Sequence, residues 1–158
     1  MARDSSYADE AFGRKRFDPS DDGDFVKNLV FVIMPFSGAS TAETYGAIQE
    51  ECQKLELRAA RADEGIGSNV ILADITNLIE DAEFVICDLS DERPNVYYEL
   101  GYAHGVGNRA SDILLIARAG TALHFDIAPI RVRFYQTVGD LRLIISTQLP
   151  AMIKSTRR

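Results

Sequence analysis

The sequence predicts a doubly wound α/β domain, a parallel sheet with helices on both faces. Three observations lead there. Strand-like and helix-like segments alternate along the chain, the strand segments are apolar throughout rather than alternating with polar residues, and each is short and bounded by turn residues. Strands buried on both faces read as continuous apolar runs, and alternation with helices puts them in parallel. Right-handed crossovers then reduce the topologies to a few. Five strands fit the order 2-1-3-4-5, the three-layer, flavodoxin-like arrangement.

The elements follow in order. Residues 1 to 27, "MARDSSYADEAFGRKRFDPSDDGDFVK", carry charge, Ser, Asp and Gly without a period of 2 or 3.6, and read as a flexible N-terminal arm ahead of an α/β domain at 28 to 158. Its Tyr7, Phe12 and Phe17 offer docking side chains. "LVFVIMPF" is the first strand, stopped by Pro35. Ser40-Thr41-Ala42-Glu43 has the spacing of a capping box, and Tyr45, Ile48, Cys52 and Leu55 form one face of the helix it starts. "LRAARAD" gives a short second strand, and Gly65 and Gly67 break the chain. A second helix from Ser68 or Asn69 has Ile71, Ile75, Leu78 and Ala82 as its stripe. "FVICDL" is the third strand, "NVYYELGYAHGVG" the third helix, "DILLIAR" the fourth strand and "IRVRFYQ" the fifth. Residues 140 to 154 make a last helix that Pro150 bends or splits.

Composition narrows the function classes. The chain of 158 residues is 46% hydrophobic and 26% charged, as in soluble globular domains. A net charge of −7 argues against a nucleic acid polymer as partner, because that binding needs a basic footprint to displace counterions. No apolar run approaches the roughly 20 residues that span a bilayer, and "MARDSSYADE" lacks the apolar core of a secretory leader, so no membrane partner and a cytoplasmic location are expected. Cys52 and Cys87 fall inside regular elements and read as buried, reduced thiols. With His104 and His124 as the two imidazoles and no close Cys/His spacing, no metal and no cofactor are expected. Neither a GxxxxGK[ST] phosphate loop nor GxGxxG follows the first strand, and neither His lies near a nucleophile.

Carboxylate chemistry remains. In the order 2-1-3-4-5 the chain reverses direction between strands 1 and 3, and ligands bind outside the carboxyl ends of those strands. Pro35, Phe36 and Ser37 end strand 1; Asp88 and Ser90 end strand 3. Asn95 is the expected N-cap of the third helix, which places Glu99 about one turn inside an otherwise apolar and aromatic segment. An ionised carboxylate there needs a reason, since burial disfavours its charge. Asp74, in the second turn of the preceding helix between Ile71 and Leu78, is expected to converge on the same crevice. Each acid also has a structural reading: Glu99 as acceptor from a Tyr hydroxyl or backbone group, Asp74 as a brace for the loop after strand 3, Asp88 as a loop anchor. Tyr97, Tyr98 and Tyr102 serve packing or ligand stacking.

"FVIMPF" followed by "ADITNLIEDAEFVICDLSDERPNVYYELGYAHGVG" resembles the nucleoside 2-deoxyribosyltransferase-like superfamily, with the likeness concentrated in Glu99-Leu100-Gly101-Tyr102-Ala103. That superfamily is also related to Toll/interleukin-1 receptor (TIR) domains, some of which cleave NAD. The resemblance implies a flavodoxin-like fold and an N-glycosidase or N-glycosyl transferase. Glu99 would attack or stabilise the sugar anomeric carbon, and Asp74 would contact base or sugar. Pro35, Phe36, Ser37, Asp88, Ser90, Asn95, Tyr98 and Tyr102 are the expected substrate-binding residues. A small nucleoside or nucleotide is the expected partner. A homo-oligomer is also expected, because the third helix has more apolar surface than one sheet face covers. Two departures stand out: Arg93 to Tyr98 is bulky and glycine-free where members carry a Gly-rich segment, and Phe31 and Phe36 lack the hydroxyl of a first-strand Tyr. A nucleotide-sensing module without turnover, a TIR-like NAD-cleaving effector and a purely structural domain are the rival readings.

Overall fold

A computed structural model describes residues 25–63, 72–124, 126, 127 and 130–157. The arm of residues 1 to 24, Gly65, Gly67 and the start of the second helix including Ile71 lie outside the described residues. Five strands, β1 (Val26–Ile33), β2 (Arg58–Ala60), β3 (Ala82–Asp88), β4 (Ile113–Arg118) and β5 (Val132–Tyr135), form one sheet in the order β2-β1-β3-β4-β5, every pairing parallel. Among the described residues, helices α1 (Thr41–Lys54), α2 (Leu72–Asp81) and α3 (Pro94–Gly105) lie between strands, and α4 (Val138–Thr156) follows β5. This is the doubly wound, flavodoxin-like fold expected from the sequence. β1 begins at Val26, two residues before the division at 27/28 read from the sequence.

Strand residues alternate between two cores. Phe31, Ile33, Val85, Cys87 and Leu115 face one side, where Ile79 of α2 and Val96, Leu100 and Ala103 of α3 cover them. Val30, Val32, Phe84, Ile86, Leu114 and Ile116 face the other, under Tyr45, Ile48 and Cys52 of α1 and Leu141, Ile145 and Leu149 of α4. Burying each large aliphatic or aromatic side chain contributes about 1.5–3 kcal/mol. Because both faces are apolar, the sheet can carry polar side chains only near its two edges.

Three local expectations are corrected and a fourth is narrowed. Ser40 precedes α1 but its side chain makes no cap hydrogen bond; its hydroxyl instead accepts from the Arg118 guanidinium, so the capping box does not form. Ala82 opens β3 rather than closing α2, and Ile79 of α2 is fully buried. Pro94 is the first helical residue of α3 with Arg93 before it, because proline loses nothing where the N–H has no intrahelical partner; Asn95 is therefore inside the helix, not its cap. Pro150 does not split α4, which runs unbroken with Pro150 on its exposed side, where water can serve the freed carbonyl.

At the amino edge, Glu83 is buried in β3. Arg157 donates to it from Nε (2.7 Å) and Nη2 (2.9 Å), and the Asn28 N–H donates at 2.6 Å. Burial opposes its charge, but the guanidinium and the N–H outweigh that and hold the carboxyl below its usual range. A group with a depressed folded pKa contributes stability above the ordinary carboxylate range and loses it as pH falls through the folded value. Arg157→Ala strands this carboxylate and should destabilise the domain by about 2 kcal/mol at pH 7, below the full buried-pair scale because Arg157 is partly exposed. Urea denaturation should show that difference shrinking below pH 4 or so, as Glu83 protonates in both states.

Candidate functional site

The carboxyl edge is built from strand ends. Asp88, the last residue of β3, is 3% exposed. The Ser90 N–H donates to its Oδ1 (2.9 Å) and the Tyr135 hydroxyl, from the end of β5, to its Oδ2 (2.9 Å). The Ser90 hydroxyl accepts from the Arg118 N–H at 2.8 Å, and the Leu89 N–H donates to the Ile116 carbonyl at 2.9 Å. The turn leaving β3 is thus tied to β4 and β5. Asp91 and Glu92 follow at φ +67° and +46°, a region that side chains rarely adopt, before Arg93 extends into Pro94.

That turn delivers Glu99 to the second turn of α3. Glu99 is 7% exposed, and burial pushes its carboxyl up to about 7, with the Asn95 amide one helical turn away donating to it and favouring the charge. The Asn95 side chain thus serves Glu99 rather than the helix end. Glu99 lies near enough to Cys87, in β3, for its charge to help raise that thiol, after burial and Asp88. Two other buried carboxylates are treated differently: Glu83 has Arg157, and Glu51 has Lys54 (2.7 Å) and Arg142 (3.1 Å), both holding theirs low. No cation contributes to the state of Glu99 among the described residues.

Asp74 is half-buried near the start of the described part of α2, and the residues that would fix its turn lie outside the described residues. It lines a cleft of about 380 Å³ with Arg58, Ala60 and Arg61 on one wall and Asn77, Leu78 and Asp81 on the other. Glu99 is not on that lining. Arg61 pairs with Asp63 through both carboxylate oxygens (2.6 and 2.7 Å) and lies over the Tyr45 and Phe36 rings, 4.6 and 5.7 Å from their centroids. Pro35 is buried; Phe36 and Ser37 are exposed at the end of β1. Tyr98 is exposed on α3, whereas the Tyr102 hydroxyl donates to Glu80 of α2; burial, then Glu80, raises that hydroxyl strongly. Tyr97 meets His124 edge-on, ring centroids 4.7 Å apart. Cys52 and Cys87 are buried free thiols, Cys52 pushed up to about 12 by burial and Glu51.

Sequence reasoning missed Tyr135, Arg118 and Arg61. The first two end strands and the third directly follows one, so the edge argument that found Asp88 extends to them.

No protein-family model matches the chain, and no curated protein matches it. Among solved structures it is similar to a 2-deoxyribosyltransferase of the psychrotolerant bacterium Bacillus psychrosaccharolyticus, described as a biocatalyst for the synthesis of antiviral and antitumoral nucleosides. The TM-score is 0.56 at 12% identity, over 72% of this chain and 90% of that one. The likeness is one of fold, a doubly wound α/β domain. Among the described residues no helix is long and apolar enough to cross a membrane.

A carboxyl raised from 4.5 to about 7 binds a proton in the native state that the unfolded chain has released. Its contribution is present at low pH and is lost as pH rises through 7. Glu99→Gln removes this slope. The variant should gain on the parent between pH 5 and pH 8 by up to about 3 kcal/mol, measured by urea denaturation at both values.

Proposed function

We propose that this domain breaks the N-glycosidic bond of a nucleoside, nucleotide or dinucleotide, as a hydrolase or a transferase, with Glu99 at the anomeric carbon. The single observation that carries the reading is the buried Glu99 carboxylate, held near the carboxyl edge by the Asn95 amide and, among the described residues, by no cation. As the C1′–N bond breaks, its electron pair leaves with the base, and positive charge develops on C1′ and the ring oxygen. A carboxylate held away from water stabilises that charge more strongly than a hydrated one, or attacks C1′ to form a glycosyl ester that water or a second base then cleaves. The likeness of fold to a 2-deoxyribosyltransferase supports a nucleoside-like substrate. Asp74, which lines a cleft with Arg61, is proposed to orient that substrate, with Asp88 shaping the edge.

A nucleotide-sensing module without turnover is the second reading. The glycine-free Arg93–Tyr98 segment favours it, because bulky residues keep backbone from approaching a sugar closely.

Purified protein incubated with a 2′-deoxynucleoside, its 5′-monophosphate and NAD should release free base from at least one of them, resolved by chromatography. Glu99→Gln should lower that rate by at least about 100-fold without unfolding the protein. The parent rate should rise with pH through about 7, since the ionised form is required. Binding without base release would favour the sensor, and release from NAD alone would favour a TIR-like effector.

A further inference from the structure

We propose that Tyr135 and Asp88 form a positioning pair that sets where α3 begins, and with it the placement of Glu99 at the carboxyl edge. The inference rests on Glu99 being the reactive carboxylate of the proposed function. Both members are buried, at 3% exposure each, and their contact joins the end of β5 to the end of β3 across β4.

The two oxygens of Asp88 divide the work. Oδ2 accepts from the Tyr135 hydroxyl, which fixes the plane of the carboxylate. Oδ1 then accepts from the Ser90 N–H, and the Ser90 hydroxyl takes the Arg118 N–H of β4. From Ser90, three residues, Asp91, Glu92 and Arg93, lead to Pro94 at the start of α3. Two of the three hold positive φ without glycine, a conformation that persists only where the surroundings enforce it. Relaxing it would let α3 turn or slide at its first residues.

Asp88 itself gains little from this location. It is a buried acid with two neutral donors, whereas Glu51 and Glu83 each have a cationic partner. Tyr135 similarly places a hydroxyl at the buried end of β5, where a Phe would fill nearly the same volume. Among the described residues Glu99 interacts with Asn95 of its own helix and acts on the Cys87 thiol of β3, so its dryness depends on how α3 sits over the end of that strand.

The test compares four proteins: the parent, Glu99→Gln, Tyr135→Phe and the double variant. Urea denaturation at pH 5 and pH 8 gives the stability that Glu99→Gln gains between the two. In the Tyr135→Phe background that gain should fall at least about twofold, because water reaches a displaced Glu99 and returns its carboxyl toward the ordinary range. Base release by Tyr135→Phe should lose at least about tenfold in kcat with KM changed less than about threefold. Two further proteins, Asp88→Asn with and without Glu99→Gln, check the geometry: the asparagine keeps an oxygen for the Ser90 N–H and can donate its amide to the Tyr135 hydroxyl, so the parent's pH-dependent gain should be retained. Should Tyr135→Phe lower stability equally at both pH values and leave the Glu99→Gln gain intact, the pair is a structural clamp and the proposal is overturned. A parent that releases no base defeats the proposed function alone, and the pH comparison still decides the positioning role.

Discussion

Strand β3 is buried from Ala82 to Asp88, with β1 and β4 on its flanks and helices over both faces, and every polar group near the site is arranged around that constraint. A strand with no exposed face can carry an acid only near its ends. Glu83 near the amino end and Asp88 at the carboxyl end occupy those positions, and their partners differ in kind. Glu83 is neutralised by Arg157, which pins the end of α4 against the sheet. Asp88 is given a hydroxyl and a backbone N–H, and its role is directional: it fixes a turn.

The same division separates the helical carboxylates. Glu51 on α1 lies between Lys54 and Arg142, where its charge is matched and α1 is tied to α4. Glu99 on α3 has an amide instead. A buried acid without a cation lowers stability when ionised, and among the described residues Glu99 is such a group on a helix, near Cys87 toward the carboxyl end of β3. Such a group is poised between two protonation states near neutral pH, as a carboxylate that meets developing positive charge must be.

Much of the fold was legible in the sequence because a parallel sheet writes itself as apolar runs. "LVFVIMPF", "FVICDL" and "DILLIAR" contain β1, β3 and β4 to within a few residues, and Tyr45, Ile48 and Cys52 do face the core. What failed was the local chemistry of polar residues, since their partners are distant in the chain. Ser40 reads as a cap until Arg118, 78 residues later, takes its hydroxyl. Asn95 reads as a cap until Pro94 is seen to start the helix, which frees the amide for Glu99. Burial of Glu99 was legible from its apolar neighbours; the Tyr135–Asp88 contact was not, because no sequence period connects residues 47 apart.

Glu99 is a carboxylate held dry, with no cation beside it among the described residues. The most direct measurement is a titration of glutamate side-chain carboxyls by ¹³C NMR in the folded, glutamate-labelled protein. One carboxyl should titrate with a midpoint near 7, and that signal should be missing from Glu99→Gln. If every glutamate of the parent titrates in the ordinary range near 4, Glu99 is hydrated or paired in solution and the account is wrong.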